Sequence, residues 1–156
     1  MSFDSGPVFG WTIFCDDIRA ELGGKFSFMG CYTGNLIVHD KLPLMLPKLG
    51  IAITYYERIR GVTDPVKIRV YFPWEKEPVI TGDLPVDKFR ATLADPDARY
   101  HRIDLTFVAA PFHIPSLGIV RTEVVVGDTA FDWGRLKIQQ QLRDEEAPPL
   151  TSQPTA

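Results

Sequence analysis

The sequence predicts an all-β protein that folds as a single antiparallel β-sandwich. Apolar residues recur at every second position in several short segments, glycine and proline separate these segments, and no long segment has helical periodicity. A closed β-barrel is the competing architecture. The 156 residues fit one domain, which can bury a sizeable core without a metal or a disulfide.

The first hairpin is predicted at residues 11–17 and 25–32, because Gly23 and Gly24 between them can adopt the positive φ angles of a tight turn. If the turn holds three residues, the numbers of paired residues sum to 46, and Cys15 lies opposite Cys31. The first residues of the sequence do not resemble a secretory signal, so we expect both thiols to be reduced and buried. A disulfide between them is the alternative.

Three middle strands are predicted from the same alternation. Their apolar rows are Leu49, Ile51, Ile53 and Tyr55; Val66, Ile68, Val70 and Phe72; and His101, Ile103, Leu105 and Phe107. On the opposite face of the first of these strands lie Ala52, Thr54 and Tyr56, none of which is charged. This indicates a central strand or one covered on its outer face. Residues 86–93 are predicted to form at most one short helix, with an irregular edge as the alternative.

The last hairpin is predicted at residues 119–126 and 129–139, joined by Gly127 and Asp128. Along its second strand the apolar positions change from odd to even numbers between Trp133 and Leu136. One extra residue restores the alternation, so we predict a β-bulge at Gly134-Arg135.

The composition divides the chain into three parts. Residues 1–7 are a short N-terminal extension, residues 8–140 are the sandwich domain, and residues 141–156 are a tail that is acidic and then rich in proline and threonine. A tail of this composition cannot bury enough apolar surface to offset the entropy lost on ordering. We therefore expect it to lie outside the core.

Two segments resemble an uncharacterised family of bacterial and phage proteins of unknown function. The first runs from Phe14-Cys15-Asp16-Asp17 through the Gly-Lys turn to Gly30, and the second runs from Leu117-Gly118 into the last hairpin. The resemblance implies an antiparallel, immunoglobulin-like sandwich. It implies no known activity and provides no catalytic residues to transfer.

The sequence lacks the patterns of most enzyme classes, and we predict that the chain is not an enzyme and needs no cofactor or metal. The net charge of −3 argues against nucleic acid as a partner, and no apolar run is long enough to span a membrane. His39, His101 and His113 are not spaced for metal binding. The alternatives are a small enzyme whose site is assembled from loop acids and histidines, and a sandwich that binds calcium or lipid.

The predicted function is a non-catalytic module for protein binding or assembly, such as a structural component of a phage particle. Its expected partners are other protein subunits, including copies of itself, and its expected location is the cytoplasm, or the virion if it is phage-encoded. Exposed apolar clusters mark interfaces. The candidate partner-binding residues are apolar side chains close to prolines: Leu42, Leu44, Met45, Leu46, Trp74, Phe112 and Ile114. The alternative is that these loops close the ends of the sandwich.

Overall fold

A computed structural model describes residues 8–59, 61–91 and 97–142. These residues are mostly β-structure, with one short helix. In chain order the elements are β1 (Val8–Glu21), β2 (Lys25–Cys31), β3 (Asn35–Val38), β4 (Leu44–Leu46), β5 (Leu49–Arg58), β6 (Val66–Tyr71), β7 (Ile80–Leu84), α1 (Val86–Ala91), β8 (Tyr100–Ala109), β9 (Phe112–Ile114), β10 (Gly118–Val126) and β11 (Thr129–Gln140).

The strands form three sheets, so the all-β prediction is confirmed, whereas a single sandwich of two sheets is not. The four-stranded sheet has the order β2-β1-β5-β8, the five-stranded sheet has the order β3-β11-β10-β6-β7, and β4 pairs with β9. The prediction that the fold is purely antiparallel is wrong, because β3 runs parallel to β11. This pair joins strands far apart in sequence, which hairpin signals do not reveal.

One hydrophobic core receives side chains from all three sheets. The prediction that β5 is central is confirmed, because it lies between β1 and β8 and is buried on both faces from Leu49 to Tyr55. Val66, Ile68 and Val70 of β6 are also buried, as their alternation predicts. The two larger sheets meet at Thr12 and Thr122, whose side-chain oxygens are 2.7 Å apart.

Both predicted hairpins are present with the predicted registers. Cys15 lies opposite Cys31, and Gly127 adopts a positive φ of 58°. The β-bulge lies one residue earlier than predicted: Thr122 pairs with Gly134 and the next residue, Glu123, pairs with Asp132, which leaves Trp133 as the extra residue. The alternation therefore changes beside Gly134, as the parity of the apolar positions requires.

The two thiols are free, but they differ in exposure. Cys15 is buried, as predicted, whereas Cys31 is exposed, so the prediction for Cys31 is wrong. Cys31 ends β2, which is an edge strand of its sheet, and no further strand covers it within the described residues. Helix α1 confirms the short helix expected at residues 86–93. Residues 1–7 and 143–156, where the extension and most of the tail fall, lie outside the described residues.

The proline-flanked segments pair with each other rather than forming separate exposed loops. Leu44 pairs with Ile114 and Leu46 with Phe112, which forms the third sheet. Phe112 and Ile114 are fully buried, and Leu42, Leu44, Leu46 and Trp74 are half-buried against the core. The expected exposure is therefore wrong for Phe112 and Ile114 and is only partial for the four half-buried side chains, whereas Met45 is 59% exposed. Their role in partner binding stays a prediction, without the exposure that motivated it.

Candidate binding cleft

Strand β1 changes its pairing partner half-way along its length. Its first half, up to Cys15, pairs with β5, and its second half pairs with β2. At the change, adjacent residues Phe14 and Cys15 are both buried, so the ordinary alternation of faces stops there. Gly30 on the opposite strand has a φ of +65°, and a side chain at Gly30 would overlap the Asp16 carboxylate. The backbone is therefore bent where the hairpin leaves the sheet.

The bent hairpin, residues 16–30, is called the hairpin arm here. It reaches the face of the four-stranded sheet that points away from the core. The side chain of Ile18 lies over Gly50 of β5: its Cγ1 is 2.7 Å from the position that a Cβ on Gly50 would occupy. Gly50 therefore makes room for the arm, which forms one side of a cleft above the sheet.

The cleft between arm and sheet has a volume of about 650 Å³ and is called the aromatic cleft here. Its sheet side includes Trp11, Ile13, Ala52, Thr54, Arg102 and Asp104, and its arm side is formed by Lys25, Phe26 and Phe28. Ala52 and Thr54 are buried at its floor. Trp11, Phe26 and Phe28 are 43%, 43% and 37% exposed, so three aromatic side chains from two separate elements present surface to solvent at one place.

The aromatic surface continues along the sheet beyond the cleft. Trp11 contacts the ring of Tyr56, with ring centres 5.6 Å apart, and Tyr56 stacks on Phe9 at 4.7 Å. Phe9 in turn meets the edge of Tyr100 at 5.2 Å. Such contacts hold aromatic rings in fixed orientations and add stability beyond the burial of their area. Trp11 is thus the last ring of an ordered row.

Three polar side chains of the cleft, those of Thr54, Asp104 and Arg102, are hydrogen-bonded to one another. Thr54 donates its hydroxyl to Asp104 at 2.8 Å, and Arg102 donates to both carboxylate oxygens of Asp104 at 2.8 and 3.1 Å. The pKa of Arg102 is raised by its hydrogen bonds to Asp104. The guanidinium also lies 5.6 Å from the centre of the Tyr56 ring, within cation–π range. The cleft therefore offers mainly aromatic surface, together with one internally paired charge group and the Lys25 ammonium.

The most buried ionic group of the described residues lies outside the cleft and links two elements of the fold. Glu57 is 1% exposed and accepts hydrogen bonds from Arg90 at 2.8 and 2.9 Å and from the Tyr55 hydroxyl at 2.7 Å. Burial acts to raise the pKa of Glu57, but the hydrogen bonds from Arg90 and Tyr55 outweigh it, and the pKa is lowered. Both carboxylate oxygens are occupied, so this group ties α1 to β5 and leaves no oxygen to act on a substrate.

The histidines do not assemble a catalytic group within the described residues. His39 contacts the main-chain oxygen of Gln141 at 2.8 Å, His101 lies opposite Glu57 on the neighbouring strand, and His113 is exposed on β9. None of them hydrogen-bonds a carboxylate in the part of the chain that is described. The same residues contain no group of three histidine, cysteine or acidic side chains that could hold a metal ion.

The aromatic cleft was missed by the sequence analysis, and none of the seven candidate partner-binding residues lines it. One signal pointed towards it. The uncharged residues Ala52, Thr54 and Tyr56 indicated that the outer face of β5 is covered. The hairpin arm provides part of that cover. The exposed rings of Phe26 and Phe28 could not be separated from ordinary core residues by alternation alone.

No family model matches the chain, and no curated protein and no solved structure is significantly similar to it. No helix in the described part of the chain is long and apolar enough to cross a membrane.

Proposed function

We propose that this chain is a non-catalytic protein-binding module whose aromatic cleft binds an extended, proline-rich segment. The observation that carries the proposal is that Trp11 of the sheet and Phe26 and Phe28 of the arm line one open cleft. Proline-rich segments adopt a stiff, extended helix before they bind, and aromatic-lined grooves recognise them by packing against their rings. The ordered aromatic row beside Trp11 extends this surface along the sheet.

The hydrogen bonding in the cleft favours proline over a hydroxyl-rich ligand. A sugar would need donors and acceptors to replace its bonds to water, because a buried polar group without a partner is costly. In this cleft Thr54, Asp104 and Arg102 already bond to one another. A proline residue demands less, because its nitrogen carries no hydrogen and only its carbonyl oxygen needs a donor or water.

The proposal keeps the expectation that the chain acts by contact with other proteins, as a structural component of a phage particle does. It moves the contact surface from the proline-flanked segments to the aromatic cleft. We also propose that the four- and five-stranded sheets pack in the immunoglobulin-like manner that the family resemblance implies.

The experiment is a titration of the full chain with a decaproline peptide, followed by tryptophan fluorescence and by calorimetry. We expect saturable binding that Trp11→Ala or Phe26→Ala weakens about tenfold or more, because both remove a ring from the cleft. Phe89→Ala is the matched control, since Phe89 on α1 is also about 40% exposed but does not line the cleft. Absence of binding, or equal affinity in all variants, contradicts the proposal.

A further inference from the structure

We propose that the segment bound in the aromatic cleft is the proline-rich tail of a second copy of this chain. This inference rests on the proposed function, because it names the partner of the same site. Residues 147–154 read Ala-Pro-Pro-Leu-Thr-Ser-Gln-Pro, and they follow the acidic residues Asp144, Glu145 and Glu146. The chain therefore carries both a cleft suited to proline and a segment with the composition that such clefts recognise.

The charges of the two surfaces are complementary. The cleft lining has two cations, Lys25 and Arg102, against one carboxylate, Asp104. Lys25 stands at the start of β2 in the arm, and Arg102 stands on β8, across the sheet from it. Arg102 is already paired with Asp104, so Lys25 is the cation that the acidic residues before the prolines can approach. Exposed charges of this kind set orientation and encounter rate more than affinity.

The position of the tail favours a second copy over the same copy. The last described residue, Leu142, follows β11 of the five-stranded sheet, whereas the cleft opens on the outer face of the four-stranded sheet. Between Leu142 and Pro148 the chain makes six residue steps, which extend to at most about 21 Å. A tail that enters the cleft of its own copy must pass from the five-stranded sheet to the outer face of the four-stranded sheet within this length. The cleft of a neighbouring copy has no such restriction.

A tail bound in a neighbour's cleft is a head-to-tail contact, since each copy offers two different surfaces. Two full-length variants separate these surfaces: Trp11→Ala/Phe26→Ala disables the cleft and keeps the tail, and Pro148→Ala/Pro149→Ala/Leu150→Ala disables the tail and keeps the cleft. We expect the unchanged chain to sediment as a dimer or larger at about 100 µM, and each variant alone to associate at least tenfold more weakly.

Mixing the two variants is the decisive measurement. One intact tail and one intact cleft remain in the mixture, so we expect a one-to-one complex and nothing larger. Phe89→Ala, which removes an exposed apolar side chain that does not line the cleft, is the control and should associate like the unchanged chain. No complex in the mixture, or a monomeric unchanged chain, overturns the proposal. A monomer whose tryptophan fluorescence changes when the tail is altered, but no longer changes once Trp11 is replaced by alanine, also overturns it, because the tail then binds within one copy.

The decaproline titration distinguishes this failure from failure of the proposed function. If the tail variant binds decaproline but the mixture forms no complex, the cleft is a proline site with a different partner. If neither association nor decaproline binding occurs, both proposals are wrong. If the cleft binds proline and its natural ligand is the tail of a second copy, the tail variant binds decaproline more tightly than the unchanged chain does, because no tail competes for its cleft.

Discussion

Gly134 of β11 and Thr12 of β1 lie so close across the two larger sheets that a Cβ on Gly134 would stand 2.6 Å from the Cβ of Thr12. Thr122 completes this contact, because its hydroxyl oxygen is 2.7 Å from that of Thr12 and would lie 2.8 Å from the added Cβ. Gly134 does not have a positive φ. Space between the sheets, rather than backbone conformation, is thus the reason for glycine at the bulge.

Gly134→Ala should lower the free energy of unfolding by about 1–3 kcal/mol, the range for adding a methyl group to a packed interior. Gly82→Ala is the matched control, because Gly82 also lies in a strand but no atom is within 4 Å of its added Cβ. The control should change stability by less than about 0.5 kcal/mol. Urea unfolding measures both, and equal stability of the two variants contradicts the close packing of Thr12 against Gly134.

The buried ion pair between Glu57 and Arg90 predicts a second effect on stability. Glu57→Gln removes the buried charge and leaves the Arg90 guanidinium, which is 17% exposed, with only the exposed Asp87 carboxylate at 3.9 Å as a counter-charge. We expect a loss of about 3 kcal/mol in urea unfolding. Asp83→Asn is the control, since Asp83 pairs with Lys67 at 3.7 Å in an exposed position. It should lower the free energy of unfolding by less than about 1 kcal/mol. Similar losses in both variants would contradict the structural role of Glu57.

Stability should also depend on pH through Glu57. Its pKa is lowered from 4.5 in the folded chain, so the folded state binds the proton less tightly than the unfolded chain does. The stabilisation is therefore complete above about pH 4.5 and is lost as the pH falls through the lower, folded-state pKa. The difference in unfolding free energy between the unchanged chain and Glu57→Gln should shrink between pH 5 and pH 2.5, in equilibrium unfolding experiments. A difference that stays constant over this interval contradicts the prediction.

The thiols should react one at a time. Burial raises the pKa of the Cys15 thiol, and the neighbouring Cys31 raises it further, so little reactive thiolate forms at Cys15. Cys31 is exposed. A thiol reagent should therefore titrate one equivalent in the folded protein and two after denaturation, and Cys31→Ser should leave none in the folded protein. No reaction after denaturation would reveal a disulfide, and two rapid equivalents would show that Cys15 is accessible.

Local features of the fold were predictable from the sequence because neighbouring residues determine them. The turn glycines set the register that places Cys15 opposite Cys31, and the change of parity beside Gly134 locates the bulge to within one residue. Long-range features were not predictable. The pairing of Leu44 with Ile114 joins residues far apart in sequence, and neither short segment alternates long enough to be recognised as a strand.

The aromatic cleft was hidden for a related reason. Its formation depends on the bend beside Asp16 and on the missing side chain at Gly50, over which Ile18 lies. In the sequence, Gly30 at the bend and Gly50 below Ile18 each look like an ordinary glycine. Only their combination in three dimensions brings Phe26 across from Trp11, and no sequence period encodes that combination.

The third sheet provides the last prediction, in which two aspartate substitutions on adjacent strands have opposite outcomes. Phe112 is 1% exposed and its ring meets those of Phe72 and Trp74 at 5.3 and 5.9 Å. Phe112→Asp removes these contacts and buries a charge, so it should cost more than about 4 kcal/mol and unfold much of the protein at room temperature. Circular dichroism and thermal melting measure the loss.

Met45→Asp is the matched substitution, because Met45 belongs to β4, the partner of β9, but its side chain is 59% exposed. It removes no core contact, and the lower strand propensity of aspartate should cost at most about 1 kcal/mol. We therefore expect a folded protein with a slightly lower melting temperature. If Phe112→Asp instead stays folded and loses only association with other chains, then Phe112 is an interface residue, and the pairing that buries it between β4 and the core is wrong.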